Sequence, residues 1–164
     1  MFINRVKRAL AEGRTQIGTG YGQIRTPEAV RILAAAGFDW IFIDTEHGVF
    51  HQETIQDLCR AATDNNMVPI VRVASLEYDL VARALDCGGQ GVIFPRVESV
   101  ELLQEAVSWT KFPPVGVRGF GLTPSYVNYE KATIPQILEH VNRETLVILQ
   151  IETQKAVDMR DELL

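Results

Sequence analysis

Short apolar runs alternate along the chain with longer stretches whose apolar residues recur every three or four positions. The first pattern reads as buried strand and the second as amphipathic helix. The clearest run is Trp40-Ile41-Phe42-Ile43, which gives way at once to Asp44-Thr45-Glu46-His47 and then Gly48. A run that short and that apolar predicts a strand buried on both faces, as in a parallel sheet covered by helices. Val68-Pro69-Ile70-Val71-Arg72-Val73, Gly91-Val92-Ile93-Phe94-Pro95 and Thr145-Leu146-Val147-Ile148-Leu149-Gln150-Ile151 repeat the pattern. Gln16-Ile17-Gly18-Thr19-Gly20 is a shorter candidate. Pro69 belongs at a strand start, where a missing N–H is tolerated.

Helix signals fall between these runs. Thr26-Pro27-Glu28 combines an N-cap, a proline at the first helical position and a first-turn acid. Ala29, Val30, Leu33 and Ala34 share one face of that helix, and Gly37 ends it. The next helix spans about Gln52 to Asn65, with Ile55, Leu58, Cys59 and Ala62 inward. Ser75 is expected to cap a helix through Asp86 that Gly88-Gly89 closes, and Ser99 to cap one reaching about Trp109. Thr133-Ile134-Pro135-Gln136 reads as a capping box, and Thr153 opens a last amphipathic helix that runs to Leu164. The rhythm breaks only from Lys111 to Asn128, a loop of about 18 residues holding Pro113-Pro114, Arg118 and Pro124. Loops of that length are often functional.

Five strands alternating with helices, at a spacing of about 25 residues, predict one parallel α/β domain over residues 1–164. Doubly wound sheets and eight-stranded barrels share this rhythm. Gly18-Thr19-Gly20 has neither the spacing of a dinucleotide fingerprint nor a helix start behind it, which weakens the doubly wound, cofactor-binding option.

Composition narrows the class. Apolar residues make up 46% and charged residues 23%, ordinary values for a globular domain. A net charge of -5 argues against a nucleic-acid surface. No apolar run approaches the ~20 residues of a membrane span. The segment Met1-Phe2-Ile3-Asn4-Arg5-Val6-Lys7-Arg8 lacks the apolar core of a signal peptide. Cys59 and Cys87 both sit in helical patterns and read as reduced, apolar thiols. The expected location is the cytoplasm.

Candidate chemistry gathers where the strands end. The second strand exits into Asp44, Glu46 and His47; the third carries Arg72; the fourth ends in Pro95-Arg96; the fifth ends in Gln150-Ile151-Glu152. In a barrel these ends converge on one face, the face that carries chemistry. Asp44, three residues before His47, is placed to hold that imidazole in one tautomer. Arg72 points away from Val71 and Val73. Each also has a bland reading: a loop histidine, a salt-bridged strand arginine, and for Glu152 a first-turn acid beside a helix N-terminus. Asp86 by itself is a helix-end carboxylate, and His51 and His140 look like surface or first-turn residues.

Several segments in register carry a resemblance that reaches nearly the whole chain. They are Gly37-Phe38-Asp39-Trp40 through Glu46-His47, the Pro69 to Arg72 strand, Leu85-Asp86-Cys87-Gly88, Pro113-Pro114-Val115-Gly116-Val117-Arg118-Gly119, and Leu149-Gln150-Ile151-Glu152-Thr153. In order and spacing the chain resembles the HpcH/HpaI family of class II pyruvate aldolases, which act on 2-keto-3-deoxy sugar acids and 4-hydroxy-2-oxo diacids. The resemblance implies a TIM-type (β/α)8 barrel of which this sequence covers about the first five βα units. It implies a divalent metal, magnesium or manganese, with Glu152 as a ligand and Gln150 near its water shell. It implies that Arg72 stabilises the enolate oxygen, that His47, oriented by Asp44, is the acid/base group, and that Asp86 supports the site near a subunit interface. The activity implied is cleavage of a 4-hydroxy-2-oxo acid to pyruvate and an aldehyde, in a homo-hexamer that uses a small 2-oxo acid and neither nucleic acid nor membrane. The metal's second acidic ligand would lie beyond Leu164, so the sequence is expected to be part of a longer chain and to lack a full metal site alone. The alternatives are an oxaloacetate-decarboxylating enzyme that uses the same enolate, or a truncated, non-catalytic oligomerisation module. Substrate specificity is expected from the Lys111 to Asn128 loop and from neighbouring subunits.

Overall fold

The computed structural model describes residues 1–121 and 127–164. Part of the Lys111 to Asn128 loop, including Pro124, therefore lies outside the described residues. The elements are α1 (Arg5–Ala11), β1 (Gly18–Tyr21), α2 (Pro27–Ala35), β2 (Trp40–Asp44), α3 (Gln52–Asp64), β3 (Val68–Arg72), α4 (Tyr78–Asp86), β4 (Gly91–Phe94), α5 (Val100–Ser108), α6 (Ile134–Glu144), β5 (Leu146–Leu149), α7 (Gln154–Asp158) and α8 (Arg160–Leu163). All four strand pairings are parallel, and the strands stand in the order β1-β2-β3-β4-β5. A doubly wound sheet reverses its strand order at a switch point. This sheet has no reversal, so it is a run of consecutive βα units of the barrel type.

The two faces of the sheet differ. Ile41, Ile43, Val71, Val92 and Phe94 point outward into the main core, where they meet Val30, Leu58, Val81, Leu103 and Ala156 of the helical layer. Trp40, Phe42, Val68, Ile70, Ile93, Leu146 and Ile148 form the inner face, and Val6 of α1 packs onto it. The strand predicted to be buried on both faces is therefore alternating. Ile41 and Ile43 are fully buried, whereas Trp40, Phe42 and Asp44 are half-buried. Burying an isoleucine fully is worth about 1.5–3 kcal/mol, so the outward positions set the register of β2.

Capping follows the sequence in most places. The Thr26 and Ser99 side chains accept backbone N–H groups of α2 and α5, and Thr133 with Gln136 forms the capping box of α6. Gly37 and Gly88 take positive φ values of 93° and 102° at the ends of α2 and α4. Ser75 is not the cap of α4: the helix begins after Glu77, and the Ser75 hydroxyl donates to Glu77 Oε1 instead (2.8 Å). The last helical pattern breaks at Met159 into α7 and α8. His140 is not at the surface; it is 9% exposed, and its ring meets the Phe2 carbonyl and Arg143. Both cysteines are free thiols, Cys59 buried and Cys87 half-buried. Among the described residues no helix is long and apolar enough to cross a membrane.

Candidate active site

Register brings the charged strand ends together. Asp44 lies directly opposite Arg72 in the β2–β3 ladder. Both follow Phe42 and Ile70 at two-residue spacing, so both face inward at the C-terminal edge. Arg72 meets Asp44 in a fork, with Nε donating to Oδ1 at 3.0 Å and Nη2 to Oδ2 at 2.7 Å. Its third donor, Nη1, reaches Gln150 Oε1 at 3.3 Å and lies 3.2 Å from Glu46 Oε2. The Phe42 ring lies under the guanidinium, 5.0 Å from its carbon. The side chains of Arg72, Glu46 and Asp44 are only 11%, 12% and 17% exposed.

The fork fixes charge as well as geometry. Partial burial pushes the Asp44 carboxyl up, but the Arg72 guanidinium and the N–H groups of His47 and Glu46 together hold it below its ordinary value. The hydrogen bond to Asp44, outweighing burial, raises Arg72 further, so its charge is permanent.

The turn after β2 is built on the same two residues. Thr45 places both its N–H (3.1 Å) and its hydroxyl (2.5 Å) on the Arg72 carbonyl. Glu46 N–H and His47 N–H both donate to Asp44 Oδ1, at 3.0 and 3.2 Å. This is the local side-chain-to-backbone bonding that aspartate favours in turns. Gly48 follows, where a Cβ would lie 2.0 Å from the Asp44 carbonyl oxygen. The result directs Glu46 inward and leaves the His47 side chain 74% exposed.

Four of the predicted site residues form one continuous chain. From Arg72, Gln150 Nε2 carries the link to Glu152 Oε2 at 2.6 Å, and the Arg96 N–H donates to Glu152 Oε1 at 3.0 Å. Asp44, Arg72, Gln150 and Glu152 are thus joined across the ends of β2, β3 and β5. One expectation needs correction. Asp44 does not hold the His47 ring; it holds the His47 backbone, while the ring Nε2 is 3.8 Å from Glu46 Oε1. Asp86 is not at this edge: α4 ends there and the chain re-enters the sheet at its opposite edge, where Gln90 N–H meets the Pro69 carbonyl. It pairs instead with buried Arg118 at 2.6 Å. The described part of the long loop runs along α4, from Arg118 at Asp86 to the Gly119 N–H on the Tyr78 hydroxyl (2.9 Å), and Phe112 is held by Asn142 of α6. Glu46 and Arg96 stand among the polar strand exits of the sequence, where neither carries an assigned role. The turn geometry and the left-handed φ of Arg96 (52°) supply their contacts, Glu46 with Arg72 and the Arg96 N–H with Glu152.

Three carboxylates, Asp44, Glu46 and Glu152, surround one guanidinium and all act electrostatically on it. That anionic excess favours a cation. Glu46 Oε2 is buried with no hydrogen bond, and Glu152 stands beside Gln150 with its carboxylate at the open edge. Hard oxygen donors of this kind fit magnesium or manganese, which take one or two protein carboxylates and fill the rest of the shell with water and substrate. Among the described residues no cluster of three or more potential ligands is assembled, so the fit is to a sparse site of that type.

The HpcH/HpaI aldolase/citrate lyase profile matches residues 21–164. A 5-keto-4-deoxy-D-glucarate aldolase of Enterobacter sp. (strain 638) is 32% identical over 163 residues, covering 99% of this chain and 62% of that protein. The chain thus spans less than two thirds of the length of the curated relatives it matches. Among solved structures, an HpcH/HpaI aldolase from Desulfitobacterium hafniense DCB-2 matches with a TM-score of 0.90 and 31% identity, over 96% of this chain and 61% of that one. The citrate synthase SbnG matches with a TM-score of 0.80 and 30% identity, over 96% of this chain and 60% of that one. Sequence profile, sheet order and superposition agree: the chain belongs to the HpcH/HpaI aldolase/citrate lyase family.

Proposed function

We propose that the full-length protein is a divalent-metal-dependent aldolase that cleaves a 4-hydroxy-2-oxo acid to pyruvate and an aldehyde. One observation carries the reading. Arg72 is clamped in a fixed plane by Asp44, next to Glu152, with one Nη2 hydrogen committed to no described residue.

Breaking the C3–C4 bond of such an acid leaves the enolate of pyruvate, with charge on the former 2-oxo oxygen. Arg72 can donate to that oxygen without reorganising, because its orientation is already set. Glu152, with Glu46 behind it, would hold the magnesium or manganese ion, which when bound supplies Lewis acidity at the 2-oxo group. Gln150 keeps Glu152 and Arg72 in mutual register through its two hydrogen bonds. His47 projects from the rigid turn into solvent and takes the 4-hydroxyl proton, directly or through water. Asp86 has no part in this chain's own cluster. The homo-hexamer implied by the resemblance belongs to the proposal and is checked by light scattering of the full-length protein.

The likeness to a citrate synthase favours one second reading, in which the same enolate arises by decarboxylation of oxaloacetate and then forms a carbon–carbon bond. Product analysis of the full-length protein with magnesium separates the two. Pyruvate and aldehyde from a 4-hydroxy-2-oxo acid, lost in Glu152→Gln, supports the aldolase. Carbon dioxide and a condensed product from oxaloacetate, with no cleavage of the hydroxy acid, replaces it with the second reading.

A further inference from the structure

The β4 exit carries a cation that this chemistry leaves unused. Arg96 follows Phe94-Pro95 and adopts φ 52°, the left-handed region that a residue with a Cβ enters at a cost of about 1 kcal/mol or more. That turn aims its N–H at Glu152 Oε1. Glycine would make the same backbone contact without strain. The arginine side chain therefore has a reason of its own to be there. It is exposed, and it has no hydrogen bond or ion pair with any described residue.

Charge says what such a side chain would meet. Arg72 is already balanced by Asp44 and Glu46, and Glu152 adds a further negative charge. A substrate with a carboxylate at each end is repelled by this floor unless both ends find cations. The 2-oxo acid end is served by Arg72 and by the ion that Glu152 would hold. The other end has Arg96, whose backbone touches Glu152 and whose exposed side chain is long enough to reach a group bound beside it.

We propose that Arg96 is a specificity-determining residue whose guanidinium binds a carboxylate on the aldehyde side of the substrate, so that 4-hydroxy-2-oxo diacids are selected over monoacids. This rests on the aldolase reading above. Arginine presents two parallel N–H donors that match a carboxylate.

The test measures binding rather than turnover. 2-Oxoglutarate and 2-oxopentanoate have the same chain length and no 4-hydroxyl to be cleaved, and they differ only in the distal carboxylate. Their affinities for the magnesium-loaded, full-length protein are measured by calorimetry in the parent, in Arg96→Gly and in Arg96→Lys. The parent binds the diacid about tenfold more tightly, equivalent to about 1.4 kcal/mol. Arg96→Gly erases that preference while leaving 2-oxopentanoate within about twofold, and Arg96→Lys retains most of it. Arg96→Gly also relieves the backbone, so its melting temperature does not fall. Equal weakening of both acids, a preference that survives in Arg96→Gly, or no preference in the parent overturns the assignment and leaves the aldolase reading standing. If neither acid binds the parent, the aldolase reading fails and the role of Arg96 falls with it.

Discussion

Replacing Arg72 by methionine removes the guanidinium and keeps an unbranched stem to lie over Phe42. The change leaves Asp44 and Glu46, 17% and 12% exposed, facing each other without a cation. Breaking a buried ion pair from one side costs about 3–5 kcal/mol. Asp44 keeps some water and its two backbone N–H donors, so the low end, about 3 kcal/mol, is expected. Asp44→Asn alone is milder, because an amide oxygen can still accept from the turn. A double-mutant cycle over Arg72→Met and Asp44→Asn should give a coupling of about 2 kcal/mol, within the usual range for contacting residues. The assay is urea unfolding of the full-length protein, with ΔG extrapolated at constant slope. A loss below about 1 kcal/mol for Arg72→Met, or a coupling near zero, would place the pair among surface salt bridges and refute the claim that the fork is a rigid, desolvated clamp.

Three further outcomes follow from the same geometry. Because the Asp44 carboxyl sits below its ordinary value of 3.8, its stabilisation is complete above that value and is lost as pH falls through the folded-state value; unfolding midpoints measured between about pH 5 and pH 2 should fall steeply in the parent and less so in Asp44→Asn. Gly48→Ala puts a methyl 2.0 Å from the Asp44 carbonyl and must displace the turn carrying Glu46 and His47; a destabilisation of about 1–3 kcal/mol in thermal unfolding is expected, together with lost activity. His47→Ala should reduce turnover by about 10²–10⁴-fold with stability changed by less than about 0.5 kcal/mol, since the ring is 74% exposed, and comparing kinetics with urea melts checks both halves.

The architecture was legible because each βα unit carries its own punctuation. Thr26, Ser99 and Thr133 cap the helices that their neighbours predict, and the apolar runs are strands. Where local rules compete, legibility ends. Ser75 has the chemistry of a cap, but its hydroxyl is spent on Glu77, and nothing in the spacing says which will win. Four consecutive apolar residues hide the alternation of β2, because periodicity needs polar positions to show it. The helix α1 offers only Val6 and Ala9 as buried positions among basic residues, too narrow a stripe to announce itself. At the site, residue types were readable but partners were not. Asp44 and Arg72 are 28 residues apart, and their pairing follows from strand register, which neither segment contains. The adjacent residues Glu46 and His47 point to opposite environments because of two hydrogen bonds to Asp44. Asp86 sits in a motif shared with the family, yet the antiparallel run of α4 carries it to the far edge of the sheet.

The central claim is that the strand ends around Arg72 and Glu152 form a site for the enolate of pyruvate. The most direct measurement is proton NMR of pyruvate incubated with the full-length protein and magnesium in deuterium oxide. The methyl signal should decay through enolisation, and the decay should vanish with a chelator, in Glu152→Gln and in Arg72→Met. A methyl signal that persists at the uncatalysed rate, or exchange that continues unchanged in both variants, would contradict it.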